Sequence, residues 1–205
     1  MLIETREGTA WTAGEVRAAV AAKYSEVATN PSGAFRFPVG PELARALGYP
    51  EDLLAAFPPA AVESFTGVAC PVLAAGLAPG EAVLDLGSGA GLDALIAARL
   101  VGGAGRVVGL DLAEAMVAKA RANAATVGAS QVEFRHGYAE ALPADAGTFH
   151  AVIVNGLLNL APEKAAAVRE IFRVLRPGGR ALVAEIVTDG TPPPLTLKTL
   201  EDWFR

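Results

Sequence analysis

Asp85-Leu86-Gly87-Ser88-Gly89-Ala90-Gly91 lies between a short aliphatic run, Ala82–Leu86, and an Ala/Leu-rich stretch that ends near Leu100. The run reads as a strand and the stretch as a helix, so the glycines form a strand-to-helix turn. Glycines at alternate positions tolerate positive φ and let the backbone approach a ligand without Cβ interference. The helix that follows directs its free N–H groups at the same place. A nucleoside cofactor is therefore expected on this loop. A dinucleotide fingerprint, GxGxxG, would need glycine at position 92, which is Leu92. The third glycine comes one residue early, and an acid, Asp85, closes the strand instead. An acid there suits a cationic amino-acid cofactor that lacks pyrophosphate.

Outward from the loop, short β-branched and aliphatic runs alternate with helical stretches, the pattern of βαβ units and a parallel sheet. A second strand at Arg106–Leu110 leads to Asp111 and a helix over about 113–127, ended by Gly128. Asp111 is placed to accept hydrogen bonds from ribose hydroxyls, a geometry that serves nicotinamide and adenosyl cofactors alike. A third strand spans Val132–Arg135 and a fourth Thr148–Val154. A helix at about 162–175 is terminated by Pro177-Gly178-Gly179, and a fifth strand spans Arg180–Val187. Before residue 75 the composition differs. Val16, Val20, Tyr24 and Val27 form one apolar face of a helix over 13–29, and two short helical segments follow at 41–48 and 50–56. The expected organisation is a helical cap or lid region at 1–75 and a cofactor-binding core at 76–205.

Composition narrows the function further. With 205 residues, 52% hydrophobic, 19% charged and a net charge of −5, the chain is a globular acidic domain, not a phosphate-tracking surface. Nucleic acid is not an expected partner. No run of 18 or more strongly apolar residues escapes interruption, and MLIETREGTA lacks the pattern of a signal peptide, so a cytoplasmic protein without a membrane span is expected. The single cysteine, Cys70, supports neither an internal disulfide nor a multi-thiolate metal site, and no metal is expected.

The spacing Asp85-x-Gly87-x-Gly89-x-Gly91 resembles the first motif of class I S-adenosylmethionine-dependent methyltransferases, which have a Rossmann-like α/β fold. Gly137-Tyr138-Ala139-Glu140-Ala141-Leu142-Pro143, Phe149–Asn155 and Arg173–Arg180 resemble later motifs of the same family. Tyr24, Leu47-Gly48-Tyr49, Ser64–Pro71, Ala118–Asn123 and Asn155–Leu160 look like arsenite methyltransferases and their relatives near the ubiquinone-biosynthesis methyltransferases. The resemblance covers about residues 15–190. It implies S-adenosylmethionine as cofactor, S-adenosylhomocysteine as product and a small molecule as acceptor. It also implies a cofactor site made of Tyr24, Gly67, Asp85, Gly87, Ser88, Gly89, Gly91, Asp111, Leu112, Met116, Tyr138, Ala139, Glu140 and Asn155. Tyr138 stands where an adenine-reading acid is common, and His150 where aspartate is usual. The positions matching arsenic-binding thiols are Val68 and Gly156, and soft As(III) needs two or three thiolates around it. The ligand count argues against arsenite as acceptor.

Methyl transfer by in-line displacement needs positioning and water exclusion more than a nucleophilic side chain. Tyr24, His150 and Cys70 are the candidates for a catalytic role. Each has an ordinary alternative, as part of a helix face, a strand-end residue and a small buried apolar group respectively. The resembled fold usually carries two further strands beside the fifth, and some 40 more residues would be needed to form them. An uncovered fifth strand presents unpaired backbone groups, so either a partner chain, a second copy or segment 195–205 is expected to cover it, or the chain is a shortened form or natural fragment. A second reading follows: a non-catalytic S-adenosylmethionine-binding or interaction module. A nicotinamide dehydrogenase ranks third because of Leu92.

Overall fold

The computed structural model describes residues 2–4, 10–187 and 189–190. A small antiparallel hairpin, β1 (Leu2–Glu4) with β2 (Ala10–Thr12), precedes the first helix, α1 (Ala13–Thr29). Helix α1 starts at a capping box: the Thr12 side chain accepts from the Glu15 N–H, and the Glu15 carboxylate accepts from the Thr12 N–H. Four short helices follow, α2 (Pro41–Ala46), α3 (Glu51–Leu54), α4 (Pro59–Val62) and α5 (Pro71–Ala74). Proline stands within the first turn of three of them, where its missing N–H costs nothing.

The main sheet has five parallel strands in the order β5-β4-β3-β6-β7. They are β3 (Ala82–Leu86), β4 (Arg106–Asp111), β5 (Val132–His136), β6 (Phe149–Asn155) and β7 (Leu175–Ala184), joined by α6 (Leu92–Val101), α7 (Glu114–Thr126) and α8 (Lys164–Val174). The strand order reverses direction at β3, so the carboxyl ends of β3, β4 and β6 open the crevice where ligands bind in doubly wound sheets.

Side-chain alternation decides what faces that crevice from within. On β3, Leu84 and Leu86 belong to a buried cluster with Val152 and Val154 of β6 and Ile171 of α8. The opposite face carries Val83 of β3 and Ala151 and Ile153 of β6, packed with the apolar side of α6. A period of two places Asp85 and Asn155 on this second face, and the register pairs Asp85 with Ile153. The same buried cluster takes in Ala44, Tyr49, Leu54 and Phe65, so the N-terminal segment shares the core of the sheet.

The fifth strand lies earlier than expected. Pro177-Gly178-Gly179 does not separate helix from strand. Helix α8 ends at Val174, and β7 begins at once at Leu175, with the Pro-Gly-Gly segment lying inside it as a bulge before the regular pairing of Arg180–Ala184. The irregularity is absorbed as a register shift opposite Phe149 and Ala151, with Gly178 at φ +77°. Residues 185–187, expected in the strand, lie beyond it. The expected cover by segment 195–205 falls outside the described residues. Phe172 on α8 and Ile186 and Val187 just after β7 are largely exposed. No helix among the described residues is long and apolar enough to cross a membrane.

Candidate active site

The glycine loop takes the conformation its composition permits. Gly87, Gly89 and Gly91 have φ of +82°, +51° and +94°. At Gly91 a side chain would also collide, because a Cβ would lie 2.7 Å from the Phe134 ring. The loop is tied to the sheet by the Gly87 and Ser88 N–H groups donating to the Leu110 carbonyl, at 2.8 and 3.1 Å. Asp111 completes the brace. Its Oδ2 accepts from the Gly89 N–H and its Oδ1 from the Ala113 N–H, both at 2.8 Å. A carboxylate offers about four acceptor positions, so Asp111 retains capacity toward a ligand. Burial raises its pKa, and the two backbone donors pull it back.

Outside the loop opens a cleft whose space, open solvent included, is about 740 Å³. It is lined by Gly87, Gly89, Asp111, Leu112, Tyr138, Ala139, Glu140 and Asn155, and by Arg17 and Tyr24 from α1. Burial pushes the Tyr24 hydroxyl above its ordinary pKa, and the hydroxyl hydrogen-bonds the Thr66 side chain. The Tyr24 ring stacks on Phe37 at 6.0 Å. A proton is thus held on Tyr24 at neutral pH.

A second cavity of about 370 Å³ adjoins the cleft and shares Gly87, Gly89, Thr66 and Asn155 with it. Ser64, Gly67, Asp85, Ser88 and Asp93 line it as well. Asp85 is 1% exposed, its Oδ2 has no hydrogen-bond partner among the described residues, and burial raises its pKa well above the carboxylate range. Ser88 Oγ is buried and unpartnered in the same way. Orphaned buried oxygens of this kind are costly unless a donor reaches them.

Asn155 reaches toward this cavity and joins three pieces of chain. Its Oδ1 accepts from the Val68 and Ala69 N–H groups at 2.8 and 3.2 Å. Its Nδ2 donates to Asp93 Oδ2 at 3.0 Å and to the Ala69 carbonyl at 2.9 Å. Tyr49 donates its hydroxyl to Asp93 Oδ1 at 2.6 Å. Burial raises Asp93 to about 6, against the pull of these two hydrogen bonds.

Not every expected site residue reaches the cleft. Met116 is fully buried against Val27, Ala28, Ala90 and Ala113. Gly91 caps α6 one layer behind the loop. Cys70 packs on the core beside Tyr49, lines neither cavity and has a pKa raised by burial, which keeps it a thiol. His150 stands at the amino end of β6, opposite the cleft, where its Nδ1 accepts from the Ala82 N–H at 3.1 Å. The sequence alone did not single out Asp93, Arg17 or Thr66. Asp93 had a visible signal, a lone acid in the first turn of an otherwise apolar helix. Arg17 had none, since it looks like any polar residue beside a helix's apolar face.

A family model described as a methyltransferase domain matches residues 77–205. The chain belongs to this methyltransferase family. Among the methyltransferase's relatives, the arsenite methyltransferase of Halobacterium salinarum is 47% identical over 123 residues, 59% of this chain and 32% of that protein. The ubiquinone/menaquinone biosynthesis C-methyltransferase UbiE of Escherichia fergusonii is 39% identical over 111 residues, 54% of this chain and 44% of that protein. The chain thus spans less than half the length of each. Among solved structures, CrArsM, an arsenic(III) S-adenosylmethionine methyltransferase from Chlamydomonas reinhardtii, matches with a TM-score of 0.52 and 34% identity, covering 69% of this chain and 48% of that one. An S-adenosylmethionine-dependent methyltransferase from Aquifex aeolicus shares the fold at a TM-score of 0.54 and 23% identity, covering 75% and 77%.

The family's cofactor is S-adenosylmethionine, and the residues present fit it. Its ammonium group is a donor of the kind that the orphaned Asp85 and Ser88 oxygens would accept. Its ribose matches the remaining acceptor capacity of Asp111 at the cleft wall.

Proposed function

We propose that this chain binds S-adenosylmethionine across the two adjoining cavities and transfers its methyl group to a small-molecule acceptor. The observation that carries the reading is the orphaned, deeply buried Asp85 carboxylate behind a positive-φ glycine loop, continuous with the cleft. In this reading Asp85 and Ser88 hold the ammonium end, Asp111 the ribose, and the Gly137–Glu140 segment the base. Bound there, the cofactor supplies an electrophilic methyl on a sulfonium. Tyr24 and the α1 face beside it exclude water and position the acceptor, and Asn155 holds the 67–69 loop against the sheet. No histidine or cysteine is among the described residues lining the cleft, so the reading assigns no proton acceptor of that kind.

Arsenite is disfavoured as acceptor. The chain has one cysteine, a half-buried thiol that lines neither cavity, whereas As(III) calls for two or three thiolates. A second reading, a module that binds the cofactor without turnover, is favoured by Tyr138 and His150, which depart from the resembled family's pattern.

Calorimetry with S-adenosylmethionine, S-adenosylhomocysteine and NAD tests the cofactor. Binding of the adenosyl compounds alone is expected, and folded protein that binds neither would overturn the proposal. Conversion of S-adenosylmethionine to S-adenosylhomocysteine across thiols, phenols, quinols and As(III) separates enzyme from binder. Asp111→Ala is expected to weaken S-adenosylhomocysteine binding by about 1.5–3 kcal/mol, the loss of a charged hydrogen-bond partner.

A further inference from the structure

Two carboxyl groups face the second cavity, and no basic side chain is among the described residues that line it. Asp85 comes from β3 and Asp93 from the first turn of α6, and both are almost fully buried, at 1% and 6% exposed. The backbone holds them close, since the Ala94 N–H, one residue beyond Asp93, donates to Asp85. Asp85 Oδ2 is left without a partner among the described residues, as is Ser88 Oγ on the same wall. Asp93 has its partners, accepting from the Tyr49 hydroxyl and from Asn155 Nδ2. Asp111 of β4 adds a third acid beside Asp85, with His136 of β5 acting on Asp111 in turn. Tyr49 and Cys70 face the pair from the N-terminal segment, and burial keeps both protonated. Lys119 of α7 reaches Ser64 on the cavity wall but is ion-paired with Glu63 and bonded to the Ala28 carbonyl.

Two carboxylates in one buried cavity without a cation oppose each other's ionisation: desolvation penalises each charge, and each charge penalises its neighbour. Burial and the neighbouring acids raise Asp85 well above the carboxylate range, and burial raises Asp93 to about 6. We propose that the Asp85–Asp93 pair carries one proton before binding and gives it up to solvent when an ammonium group takes its place in the cavity. The O–H bond of the carboxyl breaks, the proton leaves to water, and the ammonium keeps its own protons. One positive charge replaces another, so the charge of the cavity is unchanged. Binding of a nucleoside that carries an amino-acid end therefore strengthens as pH rises. The sign follows from linkage: at low pH the pair must first lose its proton, and that cost disappears as pH rises through its titration. A nucleoside without the amine exchanges nothing.

The inference rests on the cofactor reading above and fails separately from it. The test is calorimetric titration of the whole chain in PIPES and in imidazole, whose different ionisation enthalpies count the protons released per ligand bound, at pH 6 and pH 7. S-adenosylhomocysteine carries the ammonium group. Methylthioadenosine has the same nucleoside without the amino-acid end, and so reports any proton that Asp111 contributes. Wild type is expected to release about 0.5–1 proton with S-adenosylhomocysteine and less than about 0.2 with methylthioadenosine. Affinity for S-adenosylhomocysteine is expected to rise about three- to tenfold from pH 6 to pH 7 in consequence. Asp93→Asn keeps an acceptor for the Tyr49 hydroxyl but removes the like charge, so Asp85 ionises more readily and the release at pH 7 is expected to fall to about half or less. A wild-type release below about 0.2 proton at both pH values, or an equal release with both ligands, overturns the inference while leaving the cofactor reading standing. So does an unchanged proton count in Asp93→Asn with a native circular dichroism spectrum. If methylthioadenosine binds too weakly to titrate, or that variant does not fold, the wild-type count and the remaining comparison decide. Folded wild type that binds neither compound overturns both readings.

Discussion

The N-terminal segment meets the sheet along two seams made of different materials. At the inner seam, Asn155, Asp93 and Tyr49 form a hydrogen-bonded network that reaches the backbone of residues 68 and 69, with Asp93 6% exposed and Tyr49 3% exposed. At the outer seam, Arg17 crosses to Glu140 and Glu163, and the Glu163 side chain is 36% exposed. The inner network satisfies groups that water cannot reach, so its members cannot be removed singly without orphaning a partner. At the outer seam water screens the Glu163 end, while the Arg17–Glu140 pair is largely shielded from it. The inner seam is therefore held by hydrogen bonds throughout, and the outer one by ion pairs whose Glu163 end contributes least to folding.

The largest expected effect tests the inner seam directly. Asn155→Ala leaves Asp93 Oδ2, the Val68 and Ala69 N–H groups and the Ala69 carbonyl without their partner. Each unsatisfied buried group costs about 1–3 kcal/mol, with relaxation and water entry recovering part of the sum. A loss of about 3 kcal/mol is expected in urea denaturation. A loss below about 1 kcal/mol would mean that the inner seam is no stronger than a surface contact.

How much of this was legible beforehand depends on the kind of signal each residue carries. The strands β3 to β6 and helix α1 fell where apolar periodicity put them, because a parallel sheet covered on both faces demands continuous aliphatic runs. Strand β7 was placed too late because Pro-Gly-Gly is a strong stop signal locally. Only the pairing of Leu175 with Phe149, ahead of the Pro-Gly-Gly bulge, starts the strand this early. The glycine loop and Asp111 were legible because their chemistry is local in sequence. Asn155 could be named but not assigned its partners, since these stand 62 to 106 residues away. Only the register of β3 with β6 reveals that Asp85 and Asn155 share a face. Arg17 could not be read at all. Its significance lies in the ion pairs it makes with Glu140 and Glu163, more than a hundred residues away, a fact of packing and not of residue type.

Acidity distinguishes the seams next. Asp93 is raised to about 6 by burial, from an ordinary 3.8. A carboxyl group whose folded pKa lies above its unfolded value binds protons more tightly in the folded state. The stability it contributes is complete below about pH 4 and is lost as pH rises through about 6. Wild type should therefore lose stability relative to Asp93→Asn across this window, by an amount on the order of 2 kcal/mol. Urea denaturation of both proteins at intervals from pH 4 to 7 measures it. A difference that stays flat with pH would show that Asp93 titrates normally and that the inner seam is wet.

The smallest expected effect is at the outer seam. Glu163→Gln removes the ion-pair contact at the 36%-exposed end of the seam and leaves Arg17 on Glu140. An exposed contact of this type is worth about 1 kcal/mol or less. Denaturation midpoints should therefore move little, and the movement should shrink further at high salt as the remaining charges are screened. If instead Glu163→Gln cost as much as Asn155→Ala, the contrast between a buried hydrogen-bonded seam and a solvent-screened one would fail, and Glu163 would be a structural clamp on α1.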